Sequence, residues 1–527
     1  MSFWVTFMRQ TLRYFQPDSQ LRHCSEENSS QLTPTGNLAA DLAYIQQLFT
    51  NDSDFSVQYL EIDDPGKLDC CFLYLDSMVD RDSLSHMMSK AVQLRQKAGQ
   101  LKPEDVMQTI LSMGKVEKFN DLNLAAKEIA GGKVVVLTAK SEGIACVTLK
   151  GPSGRSIEEA PSESVIRGPR DGFVEDIRTN TNLIRRRIKS PKLKFQQLTV
   201  GELTETSVSV AYIEGIVDLG IVEEIKRRLQ RIIIDGILES GYLEEFIEDT
   251  PASLFPQIMP TERPDRVAEA LLSGRGAILV DNTPYVLIVP VTFPYLIQSA
   301  EDYYERFVYT SFIRLLRYIT LNISLILPAF YIAVGSFHQD ILPTKLLISF
   351  ARTREELPLP LALEVFMLEF IFEMIREAGV RLPRQVGSAV SIVGALVIGD
   401  AAIKAGLVSP VTVMVVASTA IANLTIPTIA GANSIRLTRF VLMLAATFFG
   451  LMGIVVSLIV ILAHLASIRS FGIPYLAPLA PTAFSDLKDS FIRAPHWLLS
   501  KRPMQLAKHN QVRQANNNKG EPPKSEH

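Results

Sequence analysis

Apolar and polar positions divide this chain into two unlike halves. In the front half, short apolar runs alternate with polar turns. NLAADLAYIQQLF, from Asn37, has helical spacing and precedes the strand candidate SVQYLEI. CCFLYLDSMV predicts a second strand that runs into a helix beginning near Arg81. KVVVLTA and GIACVTL then predict two strands about a short turn containing Gly143. The back half carries long apolar stretches, near residues 318–337, 386–404, 407–426 and 440–468. Each is long enough to cross about 30 Å of hydrocarbon as a helix of roughly 20 residues.

The front-half pattern occurs twice. Tyr74-Leu75-Asp76-Ser77-Met78-Val79-Asp80 lies 138 residues before Tyr212-Ile213-Glu214-Gly215-Ile216-Val217-Asp218. GAILVDNTPYVLIVPV mirrors KVVVLTAKSEGIACVTL at nearly the same offset. Two such matches in one order predict a duplicated α/β fold, as modules 37–150 and 196–300. Asp80 and Asp218 fall where helix N-caps are needed, which suits them better than a role as catalytic acids. Residues 1–36, ending in SEENSSQLTPTG, read as a flexible lead-in.

A linker, 151–195, joins the modules. It closes on Arg185, Arg186, Arg187, Lys189, Lys192 and Lys194. It reads either as a solvated segment ending in an exposed helix or as a surface for anionic lipid headgroups or another subunit.

The region 301–470 reads as an all-α polytopic membrane domain. Within it, 357–383 is apolar but carries Glu364, Glu369, Glu373 and Glu377. The last three recur every fourth residue, and Leu361 and Val365 extend the same helical stripe backwards. A carboxylate facing lipid costs ~2–4 kcal/mol, so such groups face water, a partner or a pore. Three arrangements satisfy that: an amphipathic helix at the interface, a helix lining a water-filled path, and buried pairing with Arg376 or Arg381. With several copies around an axis, Leu361 and Val365 would form an apolar collar above acidic rings at Glu369 and Glu373. Elsewhere, Asp400 and Lys404 are spaced to pair locally, and Pro427 is placed to end a helix after Asn423 and Thr425.

Charge sets the expected topology. The N-terminus, interrupted by Arg9 and Arg13, is not a secretory signal, so the modules are expected in the cytoplasm. After Ile468, nine basic residues against four acids put the tail, 471–527, on the same side, its end (NQVRQANNNKGEPPKSEH) disordered. Both ends inside require an even number of spans. Four are expected, with 357–383 re-entrant or interfacial.

Composition adds little chemistry. Of 527 residues, 47% are hydrophobic and 21% charged, which excludes global disorder. A net charge of −3 gives no sign of nucleic-acid binding. Cys24, Cys70, Cys71 and Cys146 have no metal-ligand spacing and read as thiols in a reducing compartment. No phosphate-binding, dinucleotide or hydrolase motif occurs in context, so neither an enzyme nor a cofactor is expected.

Several motifs together resemble the A-subunit family of bacterial spore germinant receptors (GerA type). They are Ser156-Ile157-Glu158-Glu159, Ile166-Arg167-Gly168-Pro169-Arg170-Asp171-Gly172-Phe173, Thr179-Asn180 and Leu183-Ile184-Arg185-Arg186-Arg187-Ile188. Tyr212-Ile213-Glu214-Gly215-Ile216, Arg376-Glu377-Ala378-Gly379-Val380-Arg381-Leu382-Pro383 and Gly472-Ile473-Pro474-Tyr475 continue the likeness. The resemblance implies a multi-pass protein of the spore inner membrane. Its partners would be a permease-like B subunit that recognises nutrient and a lipoprotein C subunit. It further implies self-association, as a pentamer, into a nutrient-gated cation channel. Two other readings stay open: a sporulation-specific paralogue that amplifies ion release, and a non-conducting scaffold for the permease-like partner.

Overall fold

The computed structural model describes residues 32–60, 70–98, 116–138, 143–149, 159–163, 165–355, 357–381, 397, 399–508 and 510–514. Most of the lead-in, Cys24, the greater part of 386–404 and the extreme C-terminus lie outside the described residues.

Two five-stranded antiparallel sheets share one topology. In the first, strands β1 (Phe55–Leu60), β2 (Cys70–Leu75), β3 (Val116–Phe119), β4 (Val134–Thr138) and β5 (Ile144–Val147) lie in the order 1-2-4-5-3. Helices α1 (Leu38–Leu48) and α3 (Leu122–Ala130) cover one face through Leu42, Ile45, Ala125 and Ile129. Helix α2 (Arg81–Ala98) covers the other through Leu84 and Met87, against Phe72, Val134 and Val136. The alternation of strand side chains supplies both faces. Cys70, Cys71 and Cys146 are buried in these strands, and burial pushes the Cys71 and Cys146 thiols up to about 12, which leaves them inert.

The second sheet repeats the plan. Strands β6 (Leu193–Val200), β7 (Thr206–Ile213), β8 (Met259–Thr261), β9 (Gly276–Val280) and β10 (Val286–Val289) lie in the order 6-7-9-10-8. Helices α4 (Ile177–Arg187) and α7 (Pro264–Leu272) pack on one face, α5 (Leu219–Gln230) and α6 (Ser240–Ile247) on the other. Asp80 and Asp218 cap as expected: Asp80 accepts from the Ser83 amide at 3.2 Å and Asp218 from the Gly220 amide at 3.1 Å. A short helix, α8 (Phe293–Ile297), leads out of this module. The apolar core that includes Leu279 and Ile288 continues into the helical region, to Leu325, Val365 and Leu442.

The helical region comprises α9 (Phe307–Ser336), α10 (Thr344–Arg354), α11 (Leu361–Arg381), α12 (Pro410–Leu424) and α13 (Ile429–Ser467). Among the described residues, α9 and α13 are long and apolar enough to cross a membrane. Helix α12 stops at Leu424, with Pro427 in the gap before α13.

Helix α13 does not run straight. A straight helix of 39 residues would extend about 58 Å. Yet Thr428, at its start, donates to the Leu296 carbonyl at 2.9 Å, while His464, near its end, meets Ser253 at 2.9 Å. Both contacts lie on the second module, where Phe255 and Phe293 have ring centroids 6.4 Å apart. The chain therefore turns back at Gly450 (φ 58°, ψ −139°), beside Phe337 and His338 at the far end of α9. The stretch 440–468, expected as one span, instead belongs to two arms, because a glycine permits a backbone conformation that ends the first. Gly450→Ala should cost about 1–3 kcal/mol in thermal unfolding, since a Cβ there would lie 2.9 Å from His338 Cε1. An unchanged melting temperature would argue against the bend.

Helix α11 is also a leg of this bundle. Its first residue, Leu361, sits against Gly335 at the end of α9, and Glu369 pairs with Arg439 on the first arm of α13. Five helical legs are thus described, α9, α11, α12 and the two arms of α13, where four spans, one of them the largely undescribed 386–404, and a re-entrant or interfacial segment were expected.

Candidate functional site

The acidic stripe folds inward within its own chain. Leu361 and Val365 are buried in the common core. Glu364 accepts from the Ser409 amide at 2.5 Å and from Arg354 at 3.2 Å. Glu369 and Arg439 are each 1% exposed at the side chain and lie 3.1 Å apart. Glu373 takes Arg376 at 2.9 Å and Arg436 at 3.1 Å. Glu377, with Arg381 at 2.7 Å, is exposed. Of the three arrangements open from the sequence, this is the buried pairing. The guanidiniums closing it come chiefly from Arg436 and Arg439, with Arg376 joining at Glu373. The signal was present as two arginines three apart beside the fourth apolar stretch. Asp400 and Lys404 form their local pair, at 2.6 Å.

A second network joins the bundle to the second module. Arg314, in the second turn of α9, is fully buried. It donates to Asp302 at 3.2 Å and to Asp489 at 2.9 Å. Arg317 also donates to Asp302, at 2.8 Å, and the Tyr303 hydroxyl to Asp489 at 2.6 Å. Burial raises the Asp489 carboxyl above its ordinary range, with Arg314 and Tyr303 working against the rise. The 3-10 turn leaving the second module (Ala300–Tyr303), the base of α9 and the segment after α13 meet at this one point.

That later segment was expected as a basic tail, and its described part is folded. Strands β11 (Arg469–Ser470) and β12 (Ile473–Pro474) form a hairpin across the expected boundary at 470/471. Tyr475, buried, donates to the Pro256 carbonyl at 2.7 Å, and Ser470 donates to the Gln257 carbonyl at 2.7 Å. Lys508 pairs with Asp218 at 2.6 Å. The Gly-Ile-Pro-Tyr motif is thus a docking hairpin, which anchors the second arm of α13 to the second module.

The basic close of the linker splits between interior and surface. Arg185 is 1% exposed and bridges the modules, donating to both Asp52 oxygens at 2.8 Å and to Asp54 at 2.6 Å. Its guanidinium lies over Phe195, 4.7 Å from the ring centroid. Burial pushes the Asp52 carboxyl above its ordinary range, and Arg185 opposes that rise. Lys194, also buried, donates to the Leu48 carbonyl at 2.6 Å. Arg187 is half-buried against Asp171, and only Arg186 and Lys189 of the four candidates are exposed. Arg185 is therefore unavailable to lipid or to another subunit, because its charge is spent on two carboxylates of the first module.

Residues 43–505 match the family described as Bacillus/Clostridium GerA spore germination protein. Spore germination protein KA of Bacillus subtilis (strain 168) is 41% identical over 500 residues, covering 94% of this chain and 92% of that protein. Spore germination protein GerLA of Bacillus cereus is 40% identical over 444 residues, covering 83% and 89%. A crystal structure of the N-terminal domain of the A subunit of the Bacillus megaterium spore germinant receptor GerK3 is 31% identical, with a TM-score of 0.40, and the match covers 50% of this chain and 98% of that one. With its motifs in the family's order and the family's match spanning most of its length, this chain belongs to the GerA family of spore germination proteins.

Proposed function

We propose that the protein is the A subunit of a spore germinant receptor in the spore inner membrane, where copies of it assemble, as a pentamer, into a nutrient-gated cation channel. A permease-like B subunit supplies nutrient recognition and a lipoprotein C subunit completes the receptor. The observation that carries this reading is the locked acidic stripe, in a chain that belongs to this family. Carboxylates along one helix are suited to a cation path, and here Arg436 and Arg439 neutralise them in a closed state. Opening would part α11 from α13, which exposes Glu369 and Glu373 below the apolar turn of Leu361 and Val365. Helix α9 leaves the second module and the hairpin after α13 returns to it, which supports one common side for the modules and the tail; in this proposal that side is the cytoplasm. Exposed Arg186 and Lys189 remain contact points for a partner or for anionic headgroups.

Nutrient binding shifts such an equilibrium only by its difference in affinity between the two states. Switching from 1% to 99% open takes about 5.5 kcal/mol of coupling. Ion release from spores carrying Val365→Ala or Glu369→Gln, at matched protein level, tests the reading. Val365→Ala should release ions without nutrient, and Glu369→Gln should alter nutrient-triggered release. Wild-type behaviour in both would return the chain to a scaffold role beside a conducting partner.

A further inference from the structure

A buried arginine of the second module has no carboxylate partner among the described residues. Arg275, just after α7, is 5% exposed, and among the described residues no Asp or Glu oxygen lies within ion-pair distance of it. Its Nη1 donates to the Pro290 carbonyl at 2.5 Å and its guanidinium stacks 3.9 Å from the Tyr295 ring centroid. Its Nε, fully buried, has no hydrogen-bond partner among the described residues. An uncompensated guanidinium in such a place costs several kcal/mol unless something of opposite charge reaches it.

Arg275 lines a cavity of about 110 Å³ between the second module and the folded tail. Two further cations line it from the tail, Lys501 and Arg513, both exposed and neither in an ion pair among the described residues. Ser273, Thr292 and Ser490, all buried, also line it; the Ser273 hydroxyl donates to Glu269 and the Ser490 hydroxyl to the Asp486 carbonyl. Three carboxylates also line the space: Asp489 is paired with Arg314, while Glu269 and Asp486 accept from neutral donors only among the described residues, so the three cations of the wall exceed the carboxylates without a cation by one. Asp489 is held by Arg314 and Tyr303. Glu269 accepts from Tyr295 at 3.1 Å and Ser273 at 2.7 Å, and Asp486 from the Met504 amide at 2.9 Å. The cavity adjoins a second one of about 290 Å³ that shares Glu269, Tyr295, Gln298, Tyr303 and Arg513, so there is room for more than a bare ion.

We infer that this cavity is an anion site for a phosphate-type group, held by Arg275 from the module and by Lys501 and Arg513 from the tail. Guanidinium forks match tetrahedral oxyanions, and a lysine adds a point charge. Because its walls come from two segments, the bound anion clamps the tail onto the second module. Because Tyr303 and Asp489 line the same space, the clamp bears directly on the base of α9. The phosphate group can come from a small solute or from a lipid headgroup, and the two are separable by experiment.

The test uses the full chain in nanodiscs of phosphatidylcholine, titrated with inorganic phosphate and pyrophosphate at fixed ionic strength against chloride, with melting temperature as the readout. A saturable rise is expected with either phosphate and not with chloride. The double variant Lys501→Gln/Arg513→Gln should keep its melting temperature without phosphate, because neither side chain makes a hydrogen bond or an ion pair among the described residues, and should weaken the phosphate effect at least tenfold. Nanodiscs containing phosphatidylglycerol separate the sources. If that lipid alone raises the melting temperature and abolishes the response to phosphate, the occupant is a headgroup. If the phosphate response persists there, it is a solute. No rise with phosphate, pyrophosphate or phosphatidylglycerol would overturn the site, as would a rise of equal size and affinity in the double variant.

Discussion

Arg185→Ala is expected to destabilise the chain by about 3–5 kcal/mol, the cost of leaving buried carboxylates without their cation. Asp52 accepts two hydrogen bonds from this one guanidinium, and Asp54 a third. Asp54 in turn holds the Ser77 amide at 2.8 Å and its hydroxyl at 2.6 Å, so the turn before α2 loosens with it. Arg185→Lys should recover only part of the loss, since an ammonium cannot fork across two carboxylates. Arg186→Ala, one residue away and exposed, should stay within about 0.5 kcal/mol of the parent. Chemical denaturation of the full chain in detergent distinguishes these outcomes. Equal effects at 185 and 186 would mean that the bridge between modules contributes nothing.

Arg314→Met should cost about 3 kcal/mol, because Asp489, half-buried, is left with the Tyr303 hydroxyl and no cation, while Asp302 keeps Arg317 alone. Its second consequence is functional. The network is where the second module, α9 and the tail meet, so its loss should uncouple the modules from the helices. Spores carrying Arg314→Met at matched protein level should lose nutrient-triggered ion release. Adding Asp489→Asn should restore stability in part, since it removes the carboxylate that lost its cation, without restoring release. Full release in the single variant would exclude the network from signal transmission.

Much of the architecture follows from local pattern. Strands β2, β4, β5, β9 and β10 lie in the predicted apolar runs, and Asp80 and Asp218 cap the helices beside which they stand in sequence. These depend on alternation and capping within a few residues, information that a sequence carries directly. Family membership rests on the same kind of signal, motifs in a fixed order along 43–505.

What the tertiary structure alone decided concerns partners far apart in the chain. Periodicity showed that Glu369 and Glu373 share a face, but not that Arg436 and Arg439 would cover it. Composition marked Arg185 as one of a basic cluster, yet its burial depends on Asp52, 133 residues away. The segment after α13 read only as a basic tail on the cytoplasmic side, because no local rule says that Tyr475 will reach Pro256, 219 residues earlier. The bend at Gly450 was hidden inside an unbroken apolar run. Local sequence sets backbone preference and which face is apolar; which charge meets which, and which segment covers which cavity, is settled when the elements pack together and each buried polar group must find its partner.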